Sequence, residues 1–430
     1  MRVLVTGAYG FIGRHIVQAL RARGHSVLAA VREQRLGSGL PGVETVPCDF
    51  GKDMDLTVWR NRLQGIDAIV NCAGILRARR DASFDAVHRA VPLAMARVAQ
   101  NVGARRFIQI SVLGEPTDGA FVASKHQADA ELLELDLDVT VLRPSLVYAL
   151  SGSRGGSSLL RALAATPLVL PVPGDGAQPV QPIRADDLAA IVVATLESPH
   201  RARGIFNIGG PSVMTLQTYL EGLRSWLGAT RGRLLHVPAP MMNVISHFGE
   251  WFGSGPLGLS MWRMTQRGSA LLPGEAQRQW EAFRIAGQSF DDALRSTPCH
   301  TQDRWHARLY PLTPVLRFGL AAVCLVSALA GLRLPPQIIK EFAAPLAVSP
   351  STVLALGYGG SALDAALGVM LLVPSLALTA ARGLLLLVLI YTVVLGVGLP
   401  SLWLDPFGGL VKNLVLIPAI VVYLVLADQR

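Results

Sequence analysis

The stretch Val3-Leu4-Val5-Thr6-Gly7-Ala8-Tyr9-Gly10-Phe11-Ile12-Gly13 decides how this chain is read. Val3 to Thr6 is a short apolar run that stops at glycine, which predicts a buried strand. Beyond the glycines, Ile12, Ile16, Val17 and Leu20 recur at helical spacing, so a helix is predicted to begin inside the glycine segment. Strand, glycine turn and helix in this order form a hollow lined by backbone N–H groups at the positive end of a helix. Gly7 allows the tight turn, Gly10 lets the backbone approach a pyrophosphate, and Gly13 permits close packing of helix on strand. A dinucleotide is the guest such a hollow expects. The motif also arrives within seven residues of Met1, leaving no room for the apolar core of a signal peptide, so this domain is expected to stay on the side where it is made.

Working outward, apolar strands are predicted at Ser26–Val31, Val43–Val46, Ile66–Asn71, Phe107–Ile110 and Val139–Leu142, with helical patterns between them. That alternation predicts an α/β fold, a Rossmann-like doubly wound parallel sheet. Composition then divides the chain. Only 16% of its 430 residues are charged, against about 25% in soluble domains. Residues 311–430 carry just ten of the 69 charged side chains. Four apolar segments stand out there, at about 314–332, 352–373, 383–399 and 411–427, and they predict an all-α four-span transmembrane bundle. Arginines before the first span and in the second connection, with Arg430 at the end, place both ends of the bundle on the cytoplasmic side of the cell's inner membrane. The net charge of +9 is scattered along the chain, which suits a domain near anionic lipid and argues against nucleic acid. Cys48, Cys72, Cys299 and Cys324 lie far apart, giving no metal site and suggesting a reducing compartment.

Further stretches follow the glycine turn in order: Asp49, Asp67-Ala68-Ile69-Val70-Asn71-Cys72-Ala73-Gly74, Ser111, Lys125, Leu142-Arg143-Pro144-Ser145, Ala185-Asp186-Asp187-Leu188-Ala189 and Phe206-Asn207-Ile208-Gly209-Gly210. Together these resemble the extended short-chain dehydrogenase/reductase family. The resemblance implies an NAD(P)-binding domain over residues 1–305, with a small interleaved substrate-binding lobe from about residue 150 onward. It implies that Gly7, Tyr9, Gly10, Phe11 and Ile12 hold the cofactor, that Asp49 contacts the adenine, and that Ala73 and Gly74 lie against the dinucleotide. At the end of the second strand stand Arg32 and, nearby, Arg35, with Glu33 between them. An arginine there suits a 2′-phosphate, so NADP is expected, with NAD as the alternative.

In that family a tyrosine four residues before a lysine donates the proton, and the lysine lowers its pKa while holding the nicotinamide ribose. Here the segment reads Phe121-Val122-Ala123-Ser124-Lys125, so the lysine is kept and the phenol is lost. General-acid catalysis is worth about 10²–10⁴-fold, and its usual donor is absent. Ser111 and Lys125 remain as catalytic candidates. Tyr148, His126 and Tyr9 are substitutes for the phenol, each more readily explained as structural. The departure resembles the atypical branch that includes the nucleotide-binding accessory subunit of respiratory complex I, and the segment Arg284–Leu294 resembles the close of that branch's second lobe.

Met241, Met242, Val244, Ile245, Phe248, Trp251 and Phe252 form a stripe at helical spacing. Core packing is the expectation for it, with bilayer contact or a substrate wall as alternatives. In the tail, over residues 306–430, the pattern Trp403-Leu404-Asp405-Pro406-Phe407-Gly408-Gly409-Leu410-Val411-Lys412-Asn413-Leu414 is similar to the DoxX-like membrane family. Asp364 is a costly charge at membrane depth, relieved either by pairing with Lys412 or Arg382 or, in the alternative, by a shallow position with Lys412 snorkelling to the surface. The leading expectation is a membrane-anchored NADPH-dependent oxidoreductase acting on an apolar or quinone-like substrate. A non-catalytic nucleotide-bound scaffold or redox sensor for a membrane complex is the second, and a nucleotide-sugar epimerase or dehydratase the third.

Overall fold

The computed structural model describes residues 1–32, 40, 42–78, 82–200, 202–230, 232–253, 255–346, 348–405 and 409–427. Glu33, Arg35, Pro406, Phe407, Gly408 and Arg430 therefore lie outside the described residues. The chain forms two compact units, Met1–His247 with Gly255–Ala307, and Phe248–Ser254 with Arg308–Arg430.

In the first unit, β1 (Arg2–Thr6), β2 (Ser26–Val31), β3 (Glu44–Pro47), β4 (Ala68–Asn71), β5 (Arg106–Ile110), β6 (Asp138–Pro144) and β7 (Gly204–Ile208) make one sheet. All neighbours run parallel, in the order β7-β6-β5-β4-β1-β2-β3. Both faces are covered, as a parallel sheet requires. Val3, Val5, Val27, Ala29 and Ile108 pack on one side with α1 (Phe11–Ala22). Leu4, Ile69, Phe107 and Trp59 pack on the other. The chain reverses its winding direction between β1 and β4, and it is at this switch point that such sheets bind ligands.

The second lobe is built from three two-stranded pairings, Ile183–Arg184 with Val147–Tyr148, Met214–Thr215 with Pro179–Val180, and Arg233–Val237 with Val169–Pro173. Tyr148, Tyr219 and Phe290 form its aromatic centre, with ring centroids 4.7 Å apart for Tyr219 and Phe290.

After α2 (Ala120–Leu133), α3 (Ala239–Phe252) and α4 (Thr301–Leu309), the second unit contains α5 (Leu312–Arg333), α6 (Pro350–Leu372), α7 (Ala377–Gly398) and α8 (Asn413–Ala427). Three of these are long and apolar enough to cross a membrane. The fourth, Asn413–Ala427, is a shorter apolar helix of 15 residues. Residues 409–412 are turns, and the helix begins only at Asn413, whose side-chain amide donates to Thr392 Oγ1 at 2.8 Å. Asp364 is half-buried beside Ser327, and among the described residues its carboxylate pairs with neither Lys412 nor Arg382. That expected ion pair is corrected.

Small residues let these helices approach closely. A Cβ on Gly368 would come 2.9 Å from Leu325 and 3.1 Å from Cys324. Overpacking a tight contact costs about 1–3 kcal/mol. Gly368→Val is therefore expected to lower the melting temperature of the detergent-solubilised chain by several degrees, read by intrinsic fluorescence, while leaving dinucleotide affinity unchanged.

Candidate functional site

The glycine turn closes where β1 meets β4. Gly7 takes φ +62°, and a Cβ there would lie 2.8 Å from the Cys72 carbonyl, so only glycine lets the turn sit against the β4 end. The Gly10 N–H donates to the Gly7 carbonyl at 2.8 Å, and a side chain at Gly13 would collide with that same oxygen. Beneath the turn runs a buried polar tie across three strands. Thr6 Oγ1 donates to Asn71 Oδ1, Asn71 Nδ2 donates to Gln109 Oε1 at 2.8 Å, and the Ala73 N–H donates to Asn71 Oδ1 at 3.2 Å. This tie fixes the level at which Ala73 and Gly74 leave the sheet.

Two arginines that sequence reasoning missed stand beside the hollow. The Arg14 guanidinium lies over the Tyr9 ring, 3.8 Å from its centroid. Arg154 comes from a loop of the second lobe, and burial together with the Arg14 charge pulls its pKa below the ordinary arginine value. Among the described residues neither guanidinium has a carboxylate partner. Two facing cations are relieved by an anion, and a diphosphate at the helix start is a fitting one. Arg14 carried a signal in following Gly13 directly, whereas Arg154 is brought in by tertiary structure alone. Of the other expected residues, Phe11 sets its ring edge to His15, and Ile12 and Tyr9 pack against the core. Arg32 is exposed at the end of β2. Asp49 follows β3 and accepts from the Gly51 N–H of its own loop at 3.0 Å.

Across the crevice, helix α2 (Ala120–Leu133) presents the remaining candidates. Lys125 is buried, and its Nζ donates to the Ile110 carbonyl at 2.9 Å. Burial lowers its pKa, opposed by the nearby Asp129 and Cys72. A Cβ on Gly74 would meet Lys125 Nζ at 3.4 Å, so the amine sits under the ledge that follows β4. His88, on a single π turn (Asp85–Ala90), accepts from the Ile75 N–H at 3.0 Å through Nε2. Its Nδ1 lies 2.8 Å from Ser124 Oγ, which donates to the Phe121 carbonyl at 3.1 Å. That chain assigns the neutral Nδ1–H tautomer, in keeping with a pKa pushed down to about 2 by burial and then by the Lys125 charge. His88 thus anchors the ledge and cannot serve as an acid.

Among the other candidates, the Ser111 hydroxyl and the His126 ring are held by hydrogen bonds, and Tyr148 lies in the second lobe. Ser111 Oγ donates to Asp129 Oδ2 at 2.7 Å, and Arg143 holds the same oxygen at 2.9 Å. His126 Nε2 lies 3.0 Å from the Val112 carbonyl, on a different face from Lys125. Tyr148 is buried in the second lobe's aromatic centre, where desolvation raises its pKa. Phe121 is itself buried, edge-on to His88 with centroids 5.6 Å apart. A cavity of about 480 Å³ is lined by Pro211, Trp280 and Arg284, none of them a residue of this crevice.

A parallel sheet of this order with a glycine hollow at its switch point defines a class of dinucleotide-binding protein. Residues 3–209 match the NAD dependent epimerase/dehydratase family, and the chain belongs to it. Residues 320–421 match the DoxX-like family. Among similar proteins are the ceramide reductase of Caulobacter vibrioides, 32% identical over 55% of this chain and 74% of the relative. Another is the NADH dehydrogenase [ubiquinone] 1 alpha subcomplex subunit 9 of Arabidopsis thaliana, 26% identical over 56% of this chain and 61% of that one. The solved UDP-glucuronic acid 4-epimerase from Bacillus cereus, in complex with UDP-glucuronic acid and NAD, matches 72% of this chain and 100% of its own with a TM-score of 0.53 at 20% identity. It shares the fold.

The buried neutral His88 makes a pH prediction. Its folded pKa lies near 2, below the ordinary value of 6.5, so the unfolded chain binds a proton the folded chain refuses. Stability is full above pH 6.5 and falls by about 1.4 kcal/mol per pH unit below it. His88→Gln removes that share of the slope, checked by urea unfolding of both proteins between pH 7 and pH 5.

Proposed function

We propose that this protein is a membrane-anchored oxidoreductase that prefers NADP to NAD and reduces an apolar acceptor drawn from the bilayer, a lipid carbonyl or a quinone. The observation that carries the reading is the glycine turn facing the Lys125 ledge, with Phe121 in place of the acid. The cofactor, when bound, supplies a hydride. The seat is supplied by the chain: backbone at Gly7, Gly10 and Gly13 with Arg14 and Arg154 for the diphosphate, Arg32 for a 2′-phosphate, Asp49 for the adenine, and Ala73, Gly74 and Lys125 for the nicotinamide end. Phe121 offers an apolar wall and no proton, while Ser111, His88 and His126 are held by internal hydrogen bonds. Lys125 lies under the ledge beside the neutral His88, and its lowered pKa suits it to orienting the ribose and releasing a proton. An acceptor whose reduced form tolerates charge, or is protonated from water, needs no more than this. The nucleotide-binding unit faces the cytoplasm in this reading, where its cofactor is made.

The relative named ceramide reductase supports a lipid acceptor. The same Phe121, with a relative that is a subunit of an NADH dehydrogenase, favours a second reading in which the dinucleotide is held structurally for a membrane complex.

The full chain in nanodiscs is expected to bind NADPH about tenfold more tightly than NADH by calorimetry, a difference of ~1.4 kcal/mol that Arg32→Ser abolishes. Oxidation of NADPH is expected with ubiquinone analogues or keto-lipids. Absence of turnover with every acceptor, together with slow cofactor exchange, removes the oxidoreductase and leaves the scaffold.

A further inference from the structure

Helix α3 (Ala239–Phe252) does not follow the core-packing expectation for its apolar stripe. It has three faces. Met242, Ser246 and Gly249 are buried, and Asn243, His247 and Glu250 form an exposed polar flank. Met241, Val244, Phe248 and Trp251 recur at intervals of three, four and three residues, on one face, and are 56%, 70%, 53% and 77% exposed. A helix with a buried face needs no second apolar face in water, and contiguous exposed patches of this kind mark interaction sites.

The C-terminal end of the helix says what covers the stripe. Phe248 and Phe252 pack on Phe318, with ring centroids 5.5 Å and 6.4 Å away, and Arg317 donates to the Phe252 carbonyl. Arg317 and Phe318 stand in the second turn of α5, which is long and apolar enough to cross a membrane. Phe248 thus packs on the early turns of a helix long and apolar enough to span, with Trp251 one turn beyond it on the same stripe. Trp near the start of a span fits the interfacial aromatic belt, and a helix with separate apolar and polar faces fits the interfacial plane.

We propose that α3 lies along the membrane surface and inserts Met241, Val244, Phe248 and Trp251 among the lipid chains, as a second attachment beside the spanning helices. The occupant of the stripe is lipid, and the inference stands whatever the cofactor site does. Spin labels at Val244→Cys, Trp251→Cys and Glu250→Cys, in the full chain reconstituted in phosphatidylethanolamine and phosphatidylglycerol nanodiscs, test it. Labels at 244 and 251 should be several-fold more accessible to oxygen, relative to a water-soluble nickel complex, than the label at 250. Equal nickel access at the three positions overturns the proposal, and so does protection of 244 and 251 from both reagents, which would mean a protein cover. Brominated lipids give a readout free of cysteine chemistry: Trp251→Phe should lose a clear share of the tryptophan quenching seen in the unaltered chain, and unchanged quenching counts against insertion.

Discussion

The carbonyl of Gly7 is the point on which the first unit turns. It takes the Gly10 N–H, it forbids a side chain at Gly13, and the residue that bears it is pressed against the end of β4. Three glycines are thereby required by one oxygen atom and one neighbouring peptide. The polar tie from Thr6 through Asn71 to Gln109 holds β1, β4 and β5 level beneath it, so that turn and ledge face each other across the crevice. Each of those buried amides is satisfied by another, which is the condition for placing polar groups in such a core.

Much of this was legible in the chain because it is local. The strand before Gly7 and the helix after it are dictated by apolar spacing, and the observed β2 begins and ends where the sequence placed it, at Ser26 and Val31. What escaped was tertiary. Arg154 reaches the hollow from a loop about 140 residues away in sequence, with nothing in its own neighbours to announce it. His88 reads as an ordinary helical residue until the π turn swings it beneath Gly74. The stripe on α3 failed in another way. Periodicity reveals that one side of a helix is apolar, but it is silent on whether protein or lipid covers that side. Hydropathy is also silent on where the last apolar segment becomes helical, since it counts apolar residues and cannot see that residues 409–412 are turns.

The candidate site combines a glycine turn and the ledge over Lys125 with a phenylalanine where the resemblance puts a tyrosine. Ser111, which the resemblance would give a substrate to orient, is turned toward Asp129 and shares that carboxylate oxygen with Arg143. A buried carboxylate held by a hydroxyl and a guanidinium is a structural clasp, and it fixes helix α2 against β5 and β6. Lys125 lies one turn earlier on the same helix, so the clasp also sets the height of the amine under the ledge.

Phe121 sits within this rigid surround, four residues ahead of an amine already in place. Phenylalanine and tyrosine codons differ by one base, and the side chains by one oxygen. One base change along this helix therefore decides whether a proton donor or a bare apolar ring stands four residues ahead of that amine.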